Sequence, residues 1–370
     1  MGSAFNLGRV FGIQLRLHYS WFVIFILVTV SLVSPNWSQW LYWVMGVVTS
    51  LLFFASVVAH ELAHSLVGKA NGIPIKSITL FIFGGIAQMT KEAAHPSAEL
   101  KMAGAGPACS LAIGGLFYLL WLLVSGIAAP IALLIQWLAY INFALAAFNL
   151  IPGFPLDGGR VLRSILWRVT GNYLRSTRIA TQVGRGVGYL FIGGGILIAF
   201  LHPFNLDLLS GLWLVFIGWF LGNAASASYR QVKWRQALQG ISVAQVMLPD
   251  RPVVPPDITV SRLIQGYVFP SGRDCFMVVD EDKLKGILTL HNIKSVPQQN
   301  WGVTQVKDIM TSVDKLKVAH LDQDALSVLE RMDEDGISQM PVVSEGRVIG
   351  LVARDNLLRF LRARFELGSG

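Results

Sequence analysis

His60-Glu61-Leu62-Ala63-His64 closes an apolar run that begins near Trp40, and residues 40–66 are long enough to cross a membrane. On a helix, residues four apart share a face. His60 and His64 can therefore grip one metal ion while Glu61 sits beside them as a general base. H-E-x-x-H is the zinc-hydrolase pattern, in which zinc keeps one position for water and lowers its pKa to about 7. Within a span, the pattern points to peptide-bond hydrolysis below the membrane surface. Ionisable side chains at that depth cost roughly 2.5–3.5 kcal/mol each on insertion scales, so a functional role is their default reading. The alternative is two packing histidines and a glutamate paired to a distant cation.

The surrounding chain agrees with a membrane setting. Hydrophobic residues make up 53% and charged residues 14% of the 370 residues, with a mean hydropathy of +0.55. Nearly all the apolar sequence precedes Tyr229. Candidate spans are 18–34, 40–66, 102–125, 130–151, 183–201 and 207–225, which predicts about six transmembrane helices. The last two could form one hairpin, with Gly193-Gly194-Gly195 permitting close packing. Residues 1–229 hold twelve Lys/Arg against five Asp/Glu, and loops 35–39, 126–129 and 202–206 hold no Lys or Arg. This asymmetry places the N-terminus and the tail on the cytosolic side, and it accounts for the net charge of +8 without a nucleic-acid partner. Residues 1–17 lack the pattern of a cleavable signal. Cys109 and Cys275 have neither disulfide nor zinc-site spacing. Residues 72–90 are apolar, β-branched and interrupted by Gly and Pro, which predicts an extended or re-entrant segment.

Elimination supplies a third metal ligand. Val67 and Ala70 stand where a metzincin continuation needs Gly and His, Asp207 falls on the opposite side of the membrane, and Glu92, His95 and Glu99 fall in a polar loop. Asp157 remains, at the cytosolic end of the fourth span, in Asn149-Leu150-Ile151-Pro152-Gly153-Phe154-Pro155-Leu156-Asp157-Gly158-Gly159-Arg160. Pro152, Pro155 and Gly158 break the helix there, and such a break is tolerated where it is buried in protein or lines a watery cavity. A cap or turn residue is the competing reading of Asp157.

The tail has ordinary globular composition and an internal repeat. Asp280-Glu281 matches Ser344-Glu345, Gly286 matches Gly350 and Asn292-Ile293 matches Asn356-Leu357, all 64 residues apart; Val246-Met247 precedes Ile309-Met310 by 63. Each repeat reads as a helix, two strands and a second helix, a duplicated α/β module.

Together, His60-Glu61-Leu62-Ala63-His64, Phe83-Gly84-Gly85-Ile86-Ala87, Gly104-Ala105-Gly106-Pro107 and the stretch from Asn149 to Gly158 resemble the site-2 protease family of intramembrane zinc metalloproteases. The tail resembles a tandem pair of cystathionine-β-synthase (CBS) modules. The boundaries expected are 1–229 for the protease domain, 230–240 for a linker, and 241–300 and 301–365 for the two modules.

The resemblance implies one Zn²⁺ per chain on His60, His64 and Asp157, with Glu61 as catalytic base. It implies that Asn149 helps hold the substrate carbonyl or the developing oxyanion, against the alternative of a helix cap. It also implies that Gly84 and Gly85 lie near the cleft as substrate-binding residues, where an edge strand at Ile78–Phe83 could pair with an unwound chain; a buried packing unit is the alternative. Substrates would be membrane-anchored signalling proteins such as anti-sigma factors, cleaved in or beside their transmembrane helix in a prokaryotic-type cell membrane. CBS pairs bind adenine nucleotides or dimerise. Here Asn292 stands where the nucleotide pattern has Asp, and Ala353 and Asn356 replace its hydroxyl and Asp, so the adenine-nucleotide pattern is incomplete in both repeats and a homodimer contact is the other expectation. The rival function is a transporter or channel gated by the CBS pair, with the histidines and Asp157 as an ion path.

Overall fold

The computed structural model describes all residues except 1–3, 34–39, 83, 90–91, 127–128, 202–207, 250–251, 282, 345–346 and 368–370. Phe83, Asp207, the expected outer loops 35–39 and 202–206 and the middle of 126–129 lie outside the described residues. The chain divides into two compact units, Met1–Lys233 and Trp234–Gly370.

The first unit begins with strands β1 (Ala4–Val10) and β2 (Ile13–His18), then α1 (Ser20–Leu32), α2 (Trp40–Ala70), β3 (Ile75–Phe81), β4 (Gly84–Met89), α3 (Pro96–Val124), α4 (Ala129–Asn149), α5 (Asp157–Thr170), α6 (Tyr173–Leu201) and α7 (Leu208–Leu238). Five of these, α2, α3, α4, α6 and α7, are long and apolar enough to cross a membrane. They expose Leu119, Leu123, Leu190 and Phe200, apolar side chains that suit contact with lipid. The first expected span is shorter than the rest: α1 has 13 residues, about 20 Å of helix against a hydrocarbon core of about 30 Å. α6 and α7 are separate helices. Of the three glycines expected to pack closely, Gly195 does so, since a methyl group there would lie 2.6 Å from Gly211 O, whereas Gly193 faces open space.

In the stretch expected to be extended, β3 and β4 pair antiparallel. The sheet runs β1-β2-β3-β4, with β2 and β3 parallel and the other pairs antiparallel. Its apolar face, Ile13, Leu15, Leu17, Ile78 and Leu80, packs on Val58, Leu62 and Leu66 of α2. At about 100° per residue, that stripe leaves His60 and His64 on another side of α2, with Glu61 between. β3 is paired along both edges, so the edge strand expected at Ile78–Phe83 is not there. Among the described residues the sheet's outer strands are β1 and β4, and β4 takes the edge next to β3 by pairing Gly85 with Leu80 and Gly84 with Phe81.

The polar loop expected around Glu99 also differs. Pro96 starts α3 six residues before the predicted span, a position where its missing N–H costs nothing. Glu99 consequently lies in the first helical turn, fully buried.

The second unit is a duplicated α/β module. Strands β6 (Cys275–Asp280) and β7 (Lys283–Thr289) recur 64 residues later as β9 (Gln339–Ser344) and β10 (Arg347–Ala353), and the short β5 (Val253–Val254) and β8 (Thr311–Ser312) flank the first pair. The repeats are interlocked. Leu248, from the start of the first repeat, exchanges backbone hydrogen bonds of 2.8 and 3.0 Å with Leu351 in β10. Thr311, from the start of the second, pairs with Ile287 in β7. The repeated glycines permit this exchange: a methyl group on Gly350 would lie 2.6 Å from Leu248 O, and one on Gly286 would lie 3.0 Å from Met310 Sδ. Val243 and Val246 accordingly sit in the core with Met340, Val342 and Val352, and Val306 sits in the other core with Phe276, Val278 and Leu288. Cys109 and Cys275 are free thiols. Burial, with Asp274 adding to it, pushes the Cys275 thiol up to about 12, so it stays protonated and unreactive.

Candidate metal and catalytic centre

α2 carries His60 and His64 on adjoining turns, and α5 begins with Asp157. The two helices converge on a triangle of ligand atoms. His60 Nε2 lies 3.2 Å from Asp157 Oδ2, His64 Nε2 lies 3.0 Å from the same oxygen, and the two Nε2 atoms are 3.2 Å apart. The other nitrogens are held from behind. His64 Nδ1 is 2.6 Å from the Met102 carbonyl, which can only accept, so Nδ1 carries the proton and Nε2 offers a lone pair to the triangle. His60 Nδ1 is 2.8 Å from Ser110 Oγ. Such outer hydrogen bonds fix ring orientation and raise ligand basicity in metal sites.

The donor set fits zinc. Two neutral imidazoles and a carboxylate turned toward one point are the chemistry of a divalent-cation ligand set. Ligand bonds of 2.0–2.1 Å in a tetrahedron predict edges of about 3.3 Å, close to those found. Among the described residues, His60, His64 and Asp157 form the one group of three or more His, Cys, Asp or Glu able to share an ion.

The triangle opens into a cleft of about 280 Å³, also lined by Glu61, Gly84, Gly85 and Asn149. All seven residues singled out from the sequence therefore meet at one place. Gly85 in β4 lies against Glu61: a methyl group there would overlap Glu61 Cγ and lie 2.7 Å from Cδ. Asn149, the last residue of α4, donates from Nδ2 to Leu145 O at 3.1 Å. Gly158 lets α5 start directly on the preceding turn, where a Cβ would strike Leu150 O and Ile151 O.

Other residues of the site had no role assigned from the sequence. Gly106 in α3 leaves room for both rings, because a Cβ there would strike His64 Nε2 and lie 2.6 Å from His60 Nε2. Ser110 and the Met102 carbonyl orient the histidines. Arg160 also lines the cleft, one turn beyond Asp157, with Nη1 3.8 Å from Met89 Sδ. The spacing of Met102, Gly106 and Ser110, four residues apart, was the available signal; it marks one face of α3 without saying what that face touches.

The model for peptidase family M50 matches residues 48–133 and 125–191, and the CBS domain model matches 243–298 and 306–363. A protein of Synechocystis named as a zinc metalloprotease is 36% identical, with the alignment spanning 98% of this chain and 96% of the relative. The chain belongs to peptidase family M50. Two further relatives named as zinc metalloproteases, Rip3 of Mycobacterium tuberculosis and one of Methanocaldococcus jannaschii, are 34% and 30% identical over 98% and 97% of this chain, covering 93% and 96% of their own lengths. A solved site-2 protease of Methanocaldococcus jannaschii is 32% identical, overlapping 60% of this chain and 94% of its own with a TM-score of 0.43. The protein is thus a site-2 protease-like zinc metalloprotease with a tandem CBS tail and a multi-pass set of apolar helices.

Proposed function

We propose that this chain hydrolyses a peptide bond within or beside the transmembrane helix of a membrane-anchored protein, releasing a cytosolic fragment. The ligand triangle with Glu61 beside it, in a cleft framed by membrane-type helices, carries this reading. His60, His64 and Asp157 hold one Zn²⁺, which supplies Lewis acidity and an acidified water when bound. Glu61 accepts the water's proton and returns it to the leaving amine. The second Nδ2 hydrogen of Asn149 faces the substrate carbonyl or oxyanion, the first being committed to Leu145.

A helical substrate must unwind before its carbonyls are accessible. The free edge of β4 offers backbone groups to receive it, with Gly84 and Gly85 allowing close approach beside Glu61. Anti-sigma factors have the required anchored topology. The closed three-ligand set gives no chain of charges for ion passage, which disfavours the transporter alternative.

An N-terminus and a tail both on the cytosolic side need an even number of crossings, so α1 is the sixth, in a locally thinned bilayer. We take the domains as 1–229 and modules 241–300 and 301–365, with a 230–240 linker that is the end of α7 as far as Leu238. The CBS pair regulates the protease by preferring one of two enzyme states or by pairing two copies. Thr289 Oγ1 and backbone N–H both engage Asn292 Oδ1, at 2.7 and 3.0 Å, and Asn356 Nδ2 donates to Val246 O at 2.8 Å. The second repeat thus offers no ribose-binding pair. Calorimetric titration of the full chain with ATP, ADP and AMP should show no more than one site, in the cleft of about 460 Å³ beside Thr289 and His291; two sites would contradict this assignment.

The deciding experiment incubates purified protein with a panel of single-span peptides, read by mass spectrometry. Cleavage in or near the apolar segment should vanish with a zinc chelator and return with added zinc. Chelator-resistant cleavage would overturn the proposal, as would liposome ion flux without cleavage.

A further inference from the structure

Beside the metal centre lies a buried ionic cluster that takes no part in the chemistry above. Arg163 of α5 is 4% exposed and Glu99 of α3 is 0% exposed. Arg163 Nε donates to Glu99 Oε1 at 2.7 Å, and Nη2 pairs with the same oxygen. Glu92 Oε2 lies 3.8 Å from Nη2 and accepts from the Tyr173 hydroxyl at 3.1 Å. The guanidinium carbon is 4.8 Å from the Phe154 ring centre and 4.6 Å from that of Tyr173. One cation therefore joins α3, the turn before α5, α5 itself and the start of α6.

α3 connects this cluster to the ligands. Glu99, Met102, Gly106 and Ser110 follow one another at intervals of three, four and four, a single stripe of the helix. Met102 and Ser110 fix the two imidazoles and Gly106 makes room for them. Glu99, at the end of the stripe, grips the helix whose first residue is Asp157. Stability alone is a poor explanation, since desolvation largely offsets the attraction in a buried ion pair and apolar replacements are often as stable. Glu99 Oε2 is moreover buried with no hydrogen-bond partner among the described residues, a cost that an apolar pair would avoid.

We propose that Arg163 and Glu99 are positioning residues: their ion pair locks α5 to α3 so that Asp157 Oδ2 stays in register with His60 and His64 as the third metal ligand. The inference rests on the zinc-binding reading above. It gives the conserved-volume variant Glu99→Gln a specific phenotype, because the hydrogen bond can persist while the charge that fixes Arg163 is gone.

The test uses full-length protein loaded with cobalt(II) in place of zinc, following the visible spectrum and the rate of metal loss to a chelator. Asp157→Asn provides the spectrum of a site without its third ligand. Glu99→Gln and Arg163→Met should weaken and shift the bands toward that spectrum and release metal about 10–100-fold faster. Arg163→Lys should fall short of rescue, because an ammonium reproduces neither the planar donors nor the ring contacts. Leu162→Ala, beside Arg163 on α5, which thins the packing against Phe154 of the preceding turn and Ala180 of α6, should keep the wild-type spectrum. Wild-type spectrum and release rate in Glu99→Gln would overturn the proposal, even if Arg163→Met failed to fold. An equal shift in Leu162→Ala would overturn it too, by reducing the pair to ordinary packing. Failure of the unmodified protein to bind metal would instead overturn the zinc reading on which the latch depends.

Discussion

Glu61→Gln is expected to lower peptide hydrolysis by about 10²–10⁴-fold, the usual contribution of a positioned general base, with one zinc per chain still bound. The amide has nearly the volume of the carboxylate, so it fits the space left by Gly85, where even a methyl group would overlap the side chain. Glu61 is not one of the three atoms of the ligand triangle, whose edges of 3.0–3.2 Å are set by His60, His64 and Asp157. What disappears is the capacity to take a proton from water and return it to nitrogen. Peptide cleavage by mass spectrometry and metal content by elemental analysis check both halves. Normal turnover would remove Glu61 from its role, whereas joint loss of zinc and turnover would make it a ligand.

Gly106→Ala should be nearly as damaging although it adds one methyl group to a residue outside the motif. That group would strike His64 Nε2 and stand 2.6 Å from His60 Nε2, so both rings must move and no edge of the triangle is left undisturbed. Misplacement of about 1 Å can cost about 10²-fold in rate, and zinc content should fall with activity. The helix itself should not suffer, because Ala is the better helix former by about 1 kcal/mol. Thermal melting should therefore show α3 intact while metal is lost. Gly115→Ala, at a position on the same helix with open space around it, should leave both unchanged. Full zinc occupancy in Gly106→Ala would contradict the close packing described.

The sequence was most informative where chemistry and periodicity coincide. His60, Glu61 and His64 are local on one helix, and Asp157 emerged by elimination, although the exclusion of Glu99 as a loop acid does not hold in the fold. The tail's architecture was legible because a 64-residue repeat states the same module twice. What stayed hidden depends on partners distant in sequence. Glu99 reads as a loop acid until Pro96 is seen to open a helix and Arg163 to meet it. That β3 is an interior strand depends on β2 pairing along its other side, a partner about sixty residues away that alternating apolar residues do not reveal. Gly106 and Ser110 lay in plain view, but only the packing of α3 on α2 gives them a task.

The interlocking of the two CBS repeats has a consequence for biosynthesis. Leu248 finds its backbone partners at Leu351, over a hundred positions later, so the first repeat cannot finish its structure while the ribosome is still translating the second. Contacts of such long separation form slowly. The tail should thus emerge as an unfinished segment and close in one concerted step only once β10 has left the ribosome, with no half-tail available as a stable stopping point.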